Sequence, residues 1–114
     1  MASLSSLKSL PDGMADCIEN CNTCYTACVV CIREHAGQQA MADCIRACLD
    51  CLQTTRASAH LMSTGSTLHH QACALCADAC QKCYDACSQM DNPYCQQCAQ
   101  ACADCVKSCR AMAA

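Results

Sequence analysis

Residues 17–31 have the sequence CIENCNTCYTACVVC, in which successive cysteines are separated by four, three, four and three residues. Side chains three and four residues apart lie on one face of an α-helix, so this stretch predicts a helix with a stripe of thiols. The same register recurs in three further stretches of the chain. Together the four stripes contain all eighteen cysteines: Cys17, Cys21, Cys24, Cys28, Cys31, Cys44, Cys48, Cys51, Cys73, Cys76, Cys80, Cys83, Cys87, Cys95, Cys98, Cys102, Cys105 and Cys109.

The four stripes also predict how the helices associate. Their cysteines occupy the positions at which Leu or Ile normally forms the seam of a helical bundle. Short connections make sequential helices antiparallel, so the predicted fold class is all-α, an up-down-up-down four-helix bundle. The helices are predicted over residues 13–36, 39–62, from a cap at Ser66 or Thr67 to residue 90, and from Pro93 to residue 112.

A turn at residues 11–13 divides the chain into two parts. Residues 1–12 are predicted to form an N-terminal arm, and residues 13–114 the cysteine-lined bundle. A short helical segment is predicted in the arm, with three leucines: Leu4, Leu7 and Leu10. Because the arm has neither a continuous apolar run nor a twin arginine, no export signal is visible and a cytoplasmic location is predicted.

Composition excludes several other classes of protein. The chain has 114 residues, a net charge of −3, and neither Trp nor Phe, so its core must consist largely of cysteine, which packs as a small apolar side chain. A secreted disulfide scaffold is disfavoured, because neighbouring cysteines on one intact helix are poorly placed to form a disulfide. No apolar run is long enough for a membrane span, and no basic cluster suggests nucleic acid as a partner.

A column of thiols favours a soft metal ion. Thiolates select Cu(I), Zn(II) or iron–sulfur clusters, and buried thiols without metal should hold their protons, since a lone buried thiolate is costly. One Cu(I) for each proton leaves the core neutral, whereas Zn(II) with four thiolates leaves two negative charges at every site. The pattern therefore predicts multiple Cu(I) ions per chain, on the order of one per cysteine.

The seam continues beyond the cysteines at both ends of the bundle. One end, which we call the mouth, has four possible additional metal ligands: Met14, Met62, His69 and Met112. The opposite end, which we call the far end, has three such residues: His35, Met41 and Met90. Packing is the alternative role for the methionines, and a hydrogen-bonded helix end is the alternative for the histidines. His60 and His70 lie off the seam and are predicted to be exposed.

The second helix has only three cysteines, and Thr55 and Ser58 follow them on the seam. These positions leave a gap in the predicted ring of thiols. Both hydroxyls are expected to bond back to the preceding turn of the helix rather than to metal. The layers near them are therefore expected to hold less metal.

The chain resembles the copper storage protein family, specifically its cytosolic branch. The resemblance covers roughly residues 12–112 and rests on segments such as CIENCNTCYTACVVC, CALCADACQKCYDAC and CQQCAQACADCVKSC. It implies a four-helix bundle whose interior cysteines bind many Cu(I) ions, storage or sequestration of that copper, a homotetramer, and no catalysis. Two alternatives use the same residues: a metallothionein-like protein that sequesters Zn or Cd, and a thiol redox buffer.

Apolar side chains beside the thiol stripes of the first two helices predict a subunit interface. They are Ile18, Tyr25, Val29 and Ile32, then Ile45, Leu49 and Leu52, and the sets 18/25/32 and 45/52 recur every seven residues. The corresponding flanks of the third and fourth helices are mostly Ala, Asp, Gln and Lys. We therefore expect a symmetric oligomer joined mainly through the first two helices.

Overall fold

The computed structural model describes residues 10–114, in which four α-helices follow one another along the chain. They are α1 (Met14–His35), α2 (Ala42–Ser63), α3 (His69–Cys87) and α4 (Pro93–Ala113). Helices α1 and α3 each pack against both α2 and α4, so the four helices close a ring around one axis. The predicted all-α four-helix bundle is confirmed.

Sulfur contacts establish the antiparallel course of the helices. Cys17 of α1 lies beside Cys109 of α4 at one end, and Cys31 lies beside Cys95 at the other. The chain direction therefore reverses between these two helices. None of the described helices is long and apolar enough to cross a membrane.

The first and last helices begin close to the predicted residues, for local reasons. α1 starts after Gly13, whose φ of +81° is a left-handed conformation that only glycine adopts without strain. α4 starts at Pro93, and the Asn92 side chain accepts a hydrogen bond of 2.9 Å from the Cys95 backbone N–H. Leu10 packs against the core. The other predicted arm leucines, Leu4 and Leu7, lie outside the described residues, and the arm stays a prediction.

The predicted bounds of the second and third helices were wrong by a few residues. Residues Gln39–Met41 form one 3₁₀ turn before α2. The Ser66 hydroxyl accepts a bond from the Leu68 backbone N–H, which stabilises a turn ahead of α3, and α3 has no side-chain cap. At its other end α3 stops at Cys87 instead of residue 90. There Gln96 of α4 donates to the backbone carbonyls of Met90 and Ser88, at 2.7 and 3.3 Å.

The predicted apolar flank divides into buried and exposed side chains. Ile18 belongs to the core of the chain itself, since only 4% of it is exposed. Val29 and Leu49 are exposed, as an interface requires. Apolar exposure also occurs beside and on α3, at Leu68 and Leu75, so the exposed apolar surface extends beyond the first two helices.

Candidate metal centre

All eighteen cysteines lie in the interior, with no exposed surface, and all are free thiols. Near the middle of the bundle, Cys51 Sγ lies 3.5 Å from Cys24 Sγ, 3.3 Å from Cys80 Sγ and 3.9 Å from Cys102 Sγ. Each helix therefore contributes one sulfur to this layer. A bond from a d¹⁰ ion to thiolate is about 2.3 Å long, so sulfurs at these distances can share one ion without backbone movement.

The layers towards the far end are built in the same way. Cys48 Sγ lies 3.7 Å from Cys83 Sγ and 3.8 Å from Cys98 Sγ. The closest contact between sulfurs in the described part of the chain joins Cys44 to Cys87, at 2.8 Å. Helix α2 thus brings its thiols to both α3 and α4 in this half of the bundle.

Successive groups of cysteines overlap along the axis. The thiols of Cys24, Cys28, Cys51 and Cys102 lie within 4.8 Å of one another. Two of the same cysteines, Cys28 and Cys102, also belong to a second such group that includes Cys83 and Cys98. Because neighbouring groups share sulfurs, the interior is one continuous column in which a thiolate can bridge two ions, rather than a set of separate closed sites.

The charge balance of the column suits a monovalent ion. Within residues 10–114, the buried side chains that are polar or charged are His35, Thr55 and Ser58, so no buried Lys or Arg pairs with a thiolate. Burial raises the pKa of the Cys44 thiol, and its hydrogen bond with Cys87 raises it further. The hydrogen bond with Cys105 similarly raises the pKa of Cys21. Hydrogen bonds from neighbouring thiols lower the pKa of other members of the column, Cys17 and Cys98 among them, so protons are shared between paired sulfurs. One Cu(I) in place of each proton preserves the charge balance.

The gap on α2 is present where the sequence predicts it. Thr55 and Ser58 are both fully buried among the thiol stripes. The Thr55 hydroxyl donates to the Leu52 carbonyl at 3.1 Å, which confirms the expected bond to the preceding turn. The same expectation was wrong for Ser58, because its Oγ has no hydrogen-bond partner.

Three of the four predicted mouth residues line one cavity. This cavity has a volume of about 370 Å³, and Met14, Met62 and His69 form part of its wall. The other mouth residue, Met112, packs against the start of α1. Its Cε is so close to Gly13 that a Cβ added to this glycine would lie 3.3 Å away. His69 Nδ1 lies 2.9 Å from the Ser66 carbonyl, so Nε2 is the ring nitrogen that can meet a ligand.

An off-seam histidine also reaches the mouth. His70 is exposed, as predicted, yet its ring stacks on that of His69 with centroids 4.1 Å apart. Its Nδ1 lies 3.2 Å from the Met112 carbonyl. Helical register alone does not indicate the contact with Met112, since it depends on where α4 ends. His60 is exposed, as predicted.

The far end places a histidine beside a tyrosine. His35 is buried, and its Nδ1 lies 2.8 Å from the Cys31 carbonyl and 3.6 Å from Cys31 Sγ. The ring of Tyr94, a residue that the seam pattern does not include, stands edge-on to His35 at 6.1 Å. Met41 is buried and Met90 is half-buried. The hydrogen-bonded alternative is therefore the observed one for His35, as it is for His69 at the mouth.

A bundle of four helices around a continuous column of thiols defines a class of proteins that bind many soft metal ions in their interior. Comparison with known proteins identifies the family within this class. The sequence profile of the family described as "Copper storage protein" matches residues 4–114. The chain belongs to the copper storage protein family.

Individual relatives agree with this assignment. An uncharacterised cysteine-rich protein of Bacillus subtilis strain 168, YhjQ, is 38% identical in an alignment of 101 residues that covers 86% of this chain and 94% of the relative. The structure of Cu(I)-bound copper storage protein BsCsp3 has a TM-score of 0.85 and 36% identity, covering 90% of this chain and all of that one. Copper storage protein Ccsp of Streptomyces lividans, loaded with 10 copper equivalents, has a TM-score of 0.82 and 29% identity, covering 98% and 90% respectively.

Proposed function

We infer that this protein stores Cu(I) inside its helical bundle. The observation that carries this conclusion is the continuous column of overlapping thiol groups, in which Cys28 and Cys102 each belong to two groups of four. Such a column provides bridging thiolates for many ions at once. Membership of the copper storage protein family and the copper-loaded relatives support the same function.

We propose that all eighteen cysteines are copper ligands. If each ion takes two thiolates and each thiolate bridges two ions, the capacity is on the order of eighteen Cu(I) per chain. The spacing of the sulfurs supports bridging, since Cys51 contacts thiols from three other helices at 3.3–3.9 Å. No residue of the chain is assigned a catalytic role in this proposal.

Copper is proposed to enter and leave at the mouth. Met14 and Met62 present thioethers to a cavity at this end, and His69 adds an imidazole. These neutral groups can hold Cu(I) weakly enough to pass it inwards. The far end is less suitable, because His35 is buried beside the ring of Tyr94, whereas His69 is half-buried and lines the mouth cavity.

The cellular setting of this function is also a proposal. The eighteen free thiols favour a reducing compartment, so we propose that the protein works in the cytoplasm. The exposed apolar side chains of Val29 and Leu49 support association of subunits through α1 and α2, and the family resemblance favours a homotetramer.

Anaerobic titration of the reduced protein tests storage against the alternatives. Cu(I) is added in the presence of a competing chelator, and a parallel sample receives Zn(II). We expect a plateau on the order of eighteen Cu(I) per chain, with far fewer zinc ions bound. A plateau at four or fewer copper ions, together with equal binding of zinc, would favour a Zn/Cd-sequestering protein. Uptake of neither metal would favour a redox buffer.

A further inference from the structure

Ser58 has an unsatisfied hydroxyl in the interior of the bundle. Its side chain is fully buried, and its Oγ is the one buried side-chain nitrogen or oxygen in residues 10–114 without a hydrogen-bond partner. Thr55, one turn away, does not share this property, because it donates to the Leu52 carbonyl. Buried polar groups are normally paired, so an unpaired one requires an explanation.

The helical register places Ser58 in the outermost layer of thiols at the mouth. Cys51 lies in one layer with Cys24, Cys80 and Cys102. Moving seven residues along each helix, or two turns towards the mouth, leads from these four positions to Ser58, Cys17, Cys73 and Cys109. Cys17 Sγ and Cys109 Sγ are 3.8 Å apart in this layer.

Thiols in this half of the column come from three helices only. One group towards the mouth whose thiols lie within 4.8 Å of one another consists of Cys21, Cys76, Cys105 and Cys109, from α1, α3 and α4. By contrast, α2 contributes both Cys44 and Cys48 to a group at the far end. Copper in the mouth half therefore has fewer thiolates available to it.

The protonation state of the neighbouring sulfurs decides whether the Ser58 hydroxyl has a strong hydrogen-bond acceptor. A protonated thiol is a weak hydrogen-bond acceptor, whereas a thiolate is a strong one. Copper converts the thiols of this layer into thiolates. The Ser58 oxygen itself is a poor ligand for Cu(I), which prefers sulfur, so the hydroxyl acts on the thiolate and not on the ion.

We propose that the Ser58 hydroxyl donates a hydrogen bond to a copper-bound thiolate of the Cys17, Cys73 and Cys109 layer, and so strengthens the outermost copper site. Ser58 is a positioning residue in this role. It replaces part of the stabilisation that a fourth thiol from α2 provides elsewhere. The proposal rests on the storage of Cu(I) proposed above and adds a residue that no thiol pattern identifies.

Copper release from four variants tests this role. The wild type, Ser58→Ala, Ser58→Thr and Thr55→Val are loaded with Cu(I) anaerobically, and transfer to an excess of a chromophoric Cu(I) chelator is followed in time. Ser58→Ala should release its first ions faster by on the order of tenfold, because the bound thiolate loses a charge-assisted hydrogen bond. Ser58→Thr keeps a hydroxyl and should retain the wild-type rate. Thr55→Val, the matched control, should also release copper at the wild-type rate.

Thermal unfolding without copper separates this role from a structural one. Removing an unpaired hydroxyl from the core should leave the metal-free Ser58→Ala protein as stable as the wild type or more stable. The proposal is overturned if Ser58→Ala releases copper at the wild-type rate, or if the variant is equally destabilised with and without copper. A wild type that binds few Cu(I) ions would instead refute storage itself, which is a different outcome from unchanged release.

Discussion

Replacing Cys51 by Ala removes the sulfur that joins all four helices in the middle of the column. Its Sγ contacts Cys24, Cys80 and Cys102 at 3.5, 3.3 and 3.9 Å. In a bridged column, the loss of one thiolate removes about one ion, because the remaining sulfurs still supply two or three ligands to each neighbour. We therefore expect a capacity of about seventeen Cu(I) for Cys51→Ala, and about sixteen when Cys80 is replaced as well.

The same substitution should reduce the stability of the metal-free protein only modestly. The substitution deletes one buried sulfur from a fully buried side chain, which costs about 1–2 kcal/mol in free energy of unfolding. Copper capacity is measured by anaerobic titration and stability by urea unfolding. Thr55→Val is the matched control, since it changes a neighbouring buried side chain without removing a thiol. A loss of four or more ions from Cys51→Ala would contradict a bridged column and indicate larger closed clusters.

Three further predictions concern the ionisation of the thiols, the two ends of the bundle and the exposed apolar surface. The metal-free protein should lose stability above pH 9.0, the ordinary pKa of cysteine, because Cys44 keeps its proton when folded and loses it when unfolded. Each such thiol should lower the free energy of unfolding, measured with urea, by about 1.4 kcal/mol per pH unit. Joint replacement of the proposed entry residues Met62, His69 and Met112 should slow copper loading and release without changing capacity. Joint replacement of His35, Met41 and Met90 at the far end should leave both rates unchanged, as stopped-flow transfer would reveal. Charges at Tyr25 and Leu49 should yield monomers that still bind copper, and an unchanged sedimentation mass would refute the interface.

Each of these results has a clear contrary outcome. Stability that stays constant between pH 9 and 10 would mean that the folded and unfolded thiols ionise alike. A far-end variant that slows loading, with the mouth variant unaffected, would place the route of copper at the opposite end. For the pH prediction, Cys44→Ala is the control and should reduce the slope by the contribution of one thiol.

The cysteine spacing was sufficient to predict the helices and the contents of the core. A side-chain repeat of three and four residues determines which face of a helix is buried, and all eighteen thiols are buried as that repeat predicts. Glycine and proline near the ends of α1 and α4 act through their own backbone conformations, so those ends were also predictable.

Features that depend on other helices were not predictable from the sequence. The end of α3 is determined in part by Gln96 of α4, which donates to the Met90 carbonyl. The contact of His70 with the Met112 carbonyl depends on the position of the α4 end. The absence of a partner for Ser58 could be recognised only once the surrounding side chains were in place, because the hydroxyl was free to bond to its own helix.

A crystal structure of the copper-loaded protein, with anomalous scattering recorded at the copper edge, tests the central claim most directly. Storage in the thiol column predicts a row of copper peaks along the bundle axis, with sulfurs of Cys24, Cys51 and Cys80 among the ligands of the middle ions. Bridging predicts that single sulfurs lie beside two copper peaks. Copper found only at exposed histidines such as His60, with an empty interior, would contradict the account.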